Sequence, residues 1–129
     1  VSRVRAEHIL ISAQMHDPVD RQRALELAKE LRERILRGED FATLAREYSN
    51  DPGSSQRGGD LGYQIRGTFE DPFEDYVWDP DKKPGKIYEI VRTGRGYHII
   101  RIIDRQYSAA DKYELDRQRA REAKKTSSE

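Results

Sequence analysis

The alternation of apolar and polar residues near the start of the chain predicts a strand from Val4 to Ile11. Successive side chains of a strand point to opposite faces, so Val4, Ala6, His8 and Leu10 share one face. His8 is therefore expected to point to the same side as apolar neighbours.

Two amphipathic helices are predicted next. Asp17-Pro18 is a favourable cap and first-position pair for a helix that Gly38 ends, and Asp40 can cap a second, shorter helix that ends near Ser49. The apolar residues recur at helical spacing; they are Ala24, Leu27, Ala28, Leu31 and Ile35 in the first helix and Phe41, Leu44, Ala45 and Tyr48 in the second.

The second half of the chain begins with a loop, 50–62, that is rich in Gly, Ser and Asp and leads into a short extended piece, Leu61 to Tyr63. Asp71-Pro72 repeats the cap-and-proline device before a short helix. Strands are predicted from Ile87 to Val91 and from Tyr97 to Ile103, joined by a tight turn into an antiparallel hairpin. The pattern thus indicates a small α+β fold.

The last part of the chain has a different composition. From Ser108 onward it consists mostly of Asp, Lys, Glu, Arg and Ala, which favours an exposed helix or a linker over core. We therefore predict a domain over residues 1–105 and a charged C-terminal helix or linker over residues 106–129.

Charge and composition exclude several classes of function. The 24 basic and 24 acidic residues balance, so no global field attracts the chain to nucleic acid or to an anionic membrane surface. No apolar run is long enough to span a bilayer, and we expect no membrane insertion. The absence of cysteine excludes disulfides, thiolate metal sites and a thiol nucleophile. A start at Val1 suggests a processed chain or a piece of a longer protein.

Six short motifs, in order along the chain, carry a resemblance to a known family. They are His8-Ile9-Leu10-Ile11, Phe41-Ala42-Thr43-Leu44-Ala45 with Tyr48-Ser49, Gly58-Gly59-Asp60-Leu61-Gly62, Phe73-Glu74-Asp75, Pro84-Gly85 and Gly96-Tyr97-His98-Ile99-Ile100. In order and spacing they resemble the signature of the parvulin (rotamase) type of peptidyl-prolyl cis/trans isomerase. The resemblance covers about Arg3 to Arg105.

The resemblance implies a four-stranded antiparallel sheet flanked by three to four helices, with the first and last strands central. His8 and His98 match the family's paired histidines, and Asp51 matches a position near the reacting bond. The proline pocket would be walled by Leu61, Phe69 and Phe73, with Phe69 in a place usually held by methionine. Two further departures are Arg95, where small polar residues are common, and a segment 79–83 that is about two residues longer than expected.

Several of these residues have more than one interpretation. The two histidines could act as acid or base, or could form a hydrogen-bonded pair that joins two strands. Asp51 could face the substrate, or could serve the Asp51-Pro52-Gly53 turn. The two phenylalanines could also be ordinary core. A metal site of His8, His16 and His98 is conceivable, but their spacing forms no local ligand motif, and we expect no metal or cofactor.

The implied activity is isomerisation of X–Pro bonds in unfolded or extended chains, by desolvation and binding of the twisted bond and without a covalent step. The partners would be proline-containing peptides or unfolded proteins and other domains of the same parent chain. Two alternatives stay open: a catalytically weak or inactive proline-peptide-binding chaperone module, and a structural spacer. Phosphate-directed recognition is disfavoured, because the segment from Ser12 to Asp20 has no Lys or Arg. The resemblance suggests a periplasmic or otherwise extracytoplasmic bacterial location.

Overall fold

A computed structural model describes residues 1–127 of the chain, which contain four strands and four helices. A short 3-10 turn at Ser55–Arg57 lies before the second strand. In chain order the elements are β1 Arg3–Ser12, α1 Pro18–Leu36, α2 Phe41–Tyr48, β2 Asp60–Ile65, α3 Asp71–Val77, β3 Val91–Thr93, β4 Gly96–Gln106 and α4 Ala109–Ser127.

The four strands form one antiparallel sheet in the order β2-β1-β4-β3. The first and last strands are therefore central, and the predicted fold class is confirmed. Along the β1–β4 pair His8 lies opposite Ile100, and Leu10 lies opposite His98. The register thus brings the two histidines to diagonal positions on neighbouring strands.

Each face of the sheet covers a separate apolar core. Helices α1 and α2 pack on one face around Ile9, Ile11 and Ile99, and α3 packs on the other around Val4, Ala6 and Ile102. Side chains of a strand alternate between faces, so β1 supplies apolar residues to both cores. His8 lies on the side of α3, as its apolar neighbours indicated.

The two predicted helix starts at Asp17 and Asp40 are confirmed. The Asp17 carboxylate accepts hydrogen bonds from the backbone N–H groups of Val19 and Asp20, and the Asp40 carboxylate accepts from Thr43. The cap predicted for α3 is wrong by one position. Asp71 is the first residue of α3, and Glu70 precedes it without a side-chain capping bond.

The strand predicted from Ile87 to Val91 is wrong in its position, since β3 spans Val91–Thr93 and Ile87 makes only an isolated bridge to Arg101. Side chains occupy the backbone groups that a longer strand would need. The Tyr88 N–H donates to the Tyr76 hydroxyl over 2.9 Å, and the Tyr88 carbonyl accepts from Arg32 over 2.7 Å. The antiparallel hairpin of the last two strands is nevertheless present.

The C-terminal segment is helical as α4 and is attached to the domain at its first turns. Asp111 accepts hydrogen bonds from the Ser2 hydroxyl near the start of the chain and lies 3.5 Å from the Arg66 guanidinium. The division of the chain at residue 105 stays a prediction. Within residues 1–127 no helix has the length and apolar character that crossing a bilayer requires.

Candidate active site

All six predicted site residues line one cavity, of about 180 Å³, at the edge of the α3 face of the sheet. They are His8, Asp51, Leu61, Phe69, Phe73 and His98. His16 does not line it and is exposed on the surface. The described residues contain no group of three or more His, Cys, Asp or Glu side chains that could hold a metal ion.

The floor of the cavity is a buried histidine pair. The Nδ1 atoms of His8 and His98 lie 3.0 Å apart, and each side chain belongs to a central strand. The pair continues at both ends, because His8 Nε2 lies 2.7 Å from Asp51 Oδ2 and His98 Nε2 lies 2.7 Å from Thr93 Oγ1. Four side chains thus form one hydrogen-bonded row across the sheet.

The row determines which ring nitrogen carries each proton. The Asp51 carboxylate is an acceptor, so His8 Nε2 carries a hydrogen and the neutral ring accepts at Nδ1. His98 therefore donates from its Nδ1 and accepts at Nε2 from the Thr93 hydroxyl. Both histidines can be neutral with every ring nitrogen paired.

The charge states are consistent with that assignment. Burial lowers the pKa of His98 to about 3, with a smaller contribution from His8. Burial also lowers the pKa of His8, although the hydrogen bond and charge of Asp51 oppose it. Burial alone would raise the pKa of Asp51, but the hydrogen bonds from Ser54 and His8 outweigh it and hold this pKa at about 2. Near neutral pH the row consists of an ionised carboxylate, two neutral rings and the Thr93 hydroxyl, so the histidine floor itself is neutral.

Backbone contacts with β1 hold Asp51 in place. The Asn50 N–H donates to the Leu10 carbonyl over 2.7 Å, and the Ser49 hydroxyl accepts from the Leu10 N–H over 3.1 Å. Asp51 also serves its own turn by accepting from the Gly53 N–H, as the turn interpretation requires. The same carboxylate thus serves the turn and pairs with His8.

The wall of the cavity is apolar and aromatic. Phe73 on α3 meets both histidine rings edge-on, at 5.5 Å from His8 and 5.3 Å from His98 between ring centroids. Phe69 stacks on Phe73 at 4.5 Å, and Leu61 on β2 completes the wall. Phe73 is only 3% exposed and belongs to the α3 core as well as to the cavity.

Two partners of the row were missing from the sequence prediction. Thr93 lies opposite Gly96 in the hairpin, and Val91 lies opposite His98, so Thr93 and His98 share a face. That relation follows from the short turn between β3 and β4 and could have been found from the sequence. Ser54, whose hydroxyl donates to Asp51 over 2.7 Å, gives no such signal, because an irregular loop positions it.

The comparison with known families decides the identity of the domain. The profile of the PPIC-type PPIase domain matches residues 1–106. The chain belongs to this family of peptidyl-prolyl isomerase domains. The parvulin-type resemblance inferred from the motifs is thereby confirmed, and the matched segment contains every residue that lines the cavity.

Known foldases and chaperones contain similar domains. The chain is 38% identical over 104 residues to the foldase protein PrsA of a Geobacillus strain, covering 81% of this chain and 33% of that protein. It superposes on the crystal structure of the peptidylprolyl isomerase PrsA from Bacillus anthracis with a TM-score of 0.67 and 31% identity, over 82% of this chain and 43% of that one. The chain thus spans about a third of this curated relative.

A further solved structure comes from work on PEB4 and Cj1289, two SurA-like chaperones of Campylobacter jejuni. It shares 33% identity and a TM-score of 0.63 over 81% of this chain and 39% of that one. In these PrsA and SurA-like proteins the matching part is a minor share of a longer chain. In these relatives the similar domain is accordingly one part of a larger protein.

Proposed function

We propose that this domain catalyses cis/trans isomerisation of X–Pro bonds as a module of a larger folding factor. The observation that carries the proposal is the apolar wall of Leu61, Phe69 and Phe73 placed directly over the neutral histidine pair, in a domain of the PPIC-type family. An apolar cavity of about 150 Å³ can take up a benzene-sized ring. A cavity of about 180 Å³ is therefore large enough for the ring of proline.

Desolvation supplies the proposed rate enhancement. Amide resonance creates the barrier to rotation, about 18–20 kcal/mol, and makes the planar bond more dipolar than the twisted one. Moving the bond from water to an apolar wall therefore favours the twisted form, and this binding difference lowers the barrier. Phe69 and Phe73 would hold the proline ring while the preceding carbonyl group rotates.

The histidine pair acts mainly as architecture in this proposal. Its ring nitrogens are fully occupied by one another and by Asp51 and Thr93, so neither ring offers a free lone pair to the substrate. Asp51 keeps His8 in the tautomer that donates from Nε2. The pair thus presents a neutral floor on which the bond can twist.

The proposed substrates are unfolded or extended polypeptides that contain proline, and the proposed partners are other domains of the parent chain. The proposed location is periplasmic or otherwise extracytoplasmic. Cj1289, one of the SurA-like chaperones compared above, is described as a periplasmic protein, and this supports the proposal.

Exchange spectroscopy on a proline-containing tetrapeptide tests the function. The peptide gives separate cis and trans resonances, which exchange in tens to hundreds of seconds without catalyst. Catalytic amounts of the domain should broaden these resonances or produce exchange cross-peaks between them. A titration of labelled protein in the same samples should shift the amide signals of residues that line the cavity. Peptide-induced shifts without faster exchange would favour the non-catalytic peptide-binding module. No shifts at all would favour the spacer.

A further inference from the structure

The cavity contains a guanidinium group that the reaction described above does not use. Arg95 lies in the turn between β3 and β4, lines the cavity, and has a side chain that is 53% exposed. Its Nη2 atom lies 3.6 Å from Asp51 Oδ1, which is longer than a hydrogen bond. Within residues 1–127 the Arg95 guanidinium makes no side-chain hydrogen bond.

Asp51 can engage only a small part of this group, because one acceptor position on its Oδ1 atom remains. Its Oδ2 atom already accepts from His8 and Ser54, and its Oδ1 atom accepts from the Gly53 N–H. A guanidinium has five N–H donors in a planar fork that matches a carboxylate, so the donors of Arg95 remain available at the mouth of the cavity. Apart from Asp51 at 3.6 Å, no carboxylate among the described residues pairs with the Arg95 guanidinium, which leaves most of its donors for a carboxylate from a ligand.

We propose that Arg95 selects X–Pro bonds in which the residue preceding proline is Asp or Glu. The inference rests on the proposed function, because the position of the bond defines the position of that residue. With the proline ring against Phe69 and Phe73, the twisting bond lies over the histidine pair. Arg95 lies beside Asp51 and lines the same cavity, so in this proposal the residue before proline passes close to its guanidinium.

Two carboxylates oppose this recognition: the ionised Asp51, 3.6 Å from Arg95 Nη2, and Glu70. Glu70 also lines the cavity and lies close to the turn that carries Arg95. Its Oε1 atom is 3.8 Å from the point where a side chain at the neighbouring Gly94 would begin. Its negative charge weakens the field of Arg95 at the mouth. The charge of Glu70 therefore limits the selectivity, and its removal should increase it.

Peptides that differ only at the residue before proline test the proposal. We would measure kcat/KM by exchange spectroscopy, and Kd by titration of labelled protein, for Ala-X-Pro-Phe with X as Glu, Gln or Lys. The wild-type domain should prefer Glu to Gln about fivefold, the upper range for a partly exposed ion pair. The preference should shrink as salt is raised, because the charges are partly in water.

Variants of Arg95 should change this ratio in a defined order. Arg95→Gln should bring the Glu and Gln peptides to within about twofold, and Arg95→Glu should reverse the order in favour of Lys. Glu70→Gln should widen the preference for Glu. Lys86→Gln removes an exposed positive charge outside the cavity and should leave the preference unchanged.

The outcomes separate this inference from the proposed function. Equal Kd and kcat/KM for the three peptides in the wild-type domain, or a preference that survives Arg95→Gln, overturns the role of Arg95. A tighter Kd for the Glu peptide that Arg95→Gln abolishes supports it even if exchange is not accelerated, and that result overturns the enzymatic function alone. A domain that binds none of the peptides contradicts both.

Discussion

The polar side chains at the centre of the site provide one another's hydrogen-bond partners. Buried imidazoles are costly when a ring nitrogen is unpaired, by about 1–3 kcal/mol per group. In this domain Asp51 and Thr93 close the two ends of the His8–His98 pair. In the proposed function, the X–Pro bond would therefore lie over a polar pair that behaves as a neutral surface.

The first prediction concerns Phe73, which belongs to both the cavity and the core. Truncation to Ala would open a cavity in the α3 core at a cost of about 3–5 kcal/mol, so Phe73→Leu is the informative change. It should lower kcat/KM about tenfold by loosening the proline site and should lower the free energy of unfolding by less than about 1.5 kcal/mol.

Val77→Ala is the matched control for Phe73→Leu. Val77 is fully buried on the same helix but does not line the cavity. It should destabilise the domain as much as Phe73→Leu or more and leave kcat/KM within about twofold. Equal losses of kcat/KM in the two variants would assign Phe73 to the core alone.

The second prediction is a pH dependence of stability. The folded-state pKa values of His8 and His98 lie below the ordinary value of 6.5, with that of His98 at about 3. The unfolded chain therefore takes up protons first as pH falls. The stability contributed by the neutral pair is complete above pH 6.5 and is lost from there towards pH 3.

Denaturant unfolding from pH 7 to pH 4 measures this effect. The free energy of unfolding should fall by up to about 1.4 kcal/mol per pH unit for each histidine that stays neutral. A variant with His8→Leu and His98→Leu should show a flatter profile. His16→Asn, which removes an exposed histidine, should keep the wild-type slope. A steep profile in the double variant would show that other groups cause the pH dependence.

Among the elements, the approach of the 50–62 loop to β1 depends on a glycine. A Cβ atom on Gly59 would lie 2.3 Å from the His8 carbonyl oxygen, whereas one on Gly62 would meet nothing within 4 Å. Both residues have positive φ, at 87° and 68°. The two positions therefore differ in contact and not in backbone conformation.

The third prediction compares alanine at these two glycines. Gly62→Ala should lower the free energy of unfolding by about 1–2 kcal/mol, because alanine is strained in a left-handed backbone conformation. Gly59→Ala should lower the free energy of unfolding by clearly more than Gly62→Ala does. It should also lower kcat/KM, because β1 would have to move at His8. Denaturant unfolding and the exchange assay measure both effects. Equal costs for the two variants would mean that the loop relaxes without disturbing the strand.

Local signals predicted the helices better than the strands. The caps of α1 and α2 depend on Asp17 and Asp40 acting within their own turns, so the sequence contains the whole cause. The position of β3 depends on distant partners. Tyr76 and Arg32 occupy the backbone groups of Tyr88, and no local pattern contains that information.

For the whole molecule, the sequence predicted six residues that line the cavity, but it missed Thr93 and Ser54 and did not predict how these side chains are connected. The motifs identified His8, Asp51 and His98 through the resemblance to the parvulin family. Their order as a row ended by Thr93 follows only from the strand register. Arg95 was noted from the sequence as a departure from the family pattern, and the structure places it in the cavity.

The attachment of α4 brings the two ends of the matched domain together. Ser2 and Asp111 are hydrogen-bonded, and the Ser108 N–H donates to the Ser2 hydroxyl over 2.8 Å. Residues near the beginning and just after the end of the family match are therefore adjacent. Such an arrangement suits a module whose flanking segments continue into other domains.

In the proposed function the cavity isomerises X–Pro bonds by shape and desolvation, with the histidines as architecture. Each single His→Leu change breaks the hydrogen bond between His8 and His98, and the double change breaks the same bond only once. The loss of unfolding free energy in the double variant should therefore be smaller than the sum of the losses in the two single variants. Exchange spectroscopy on this variant, after its fold is checked by amide spectra, is the most direct test. The folded double variant should still measurably accelerate X–Pro exchange. A folded double variant that is wholly inactive would contradict this proposal and would assign the chemistry to the imidazoles.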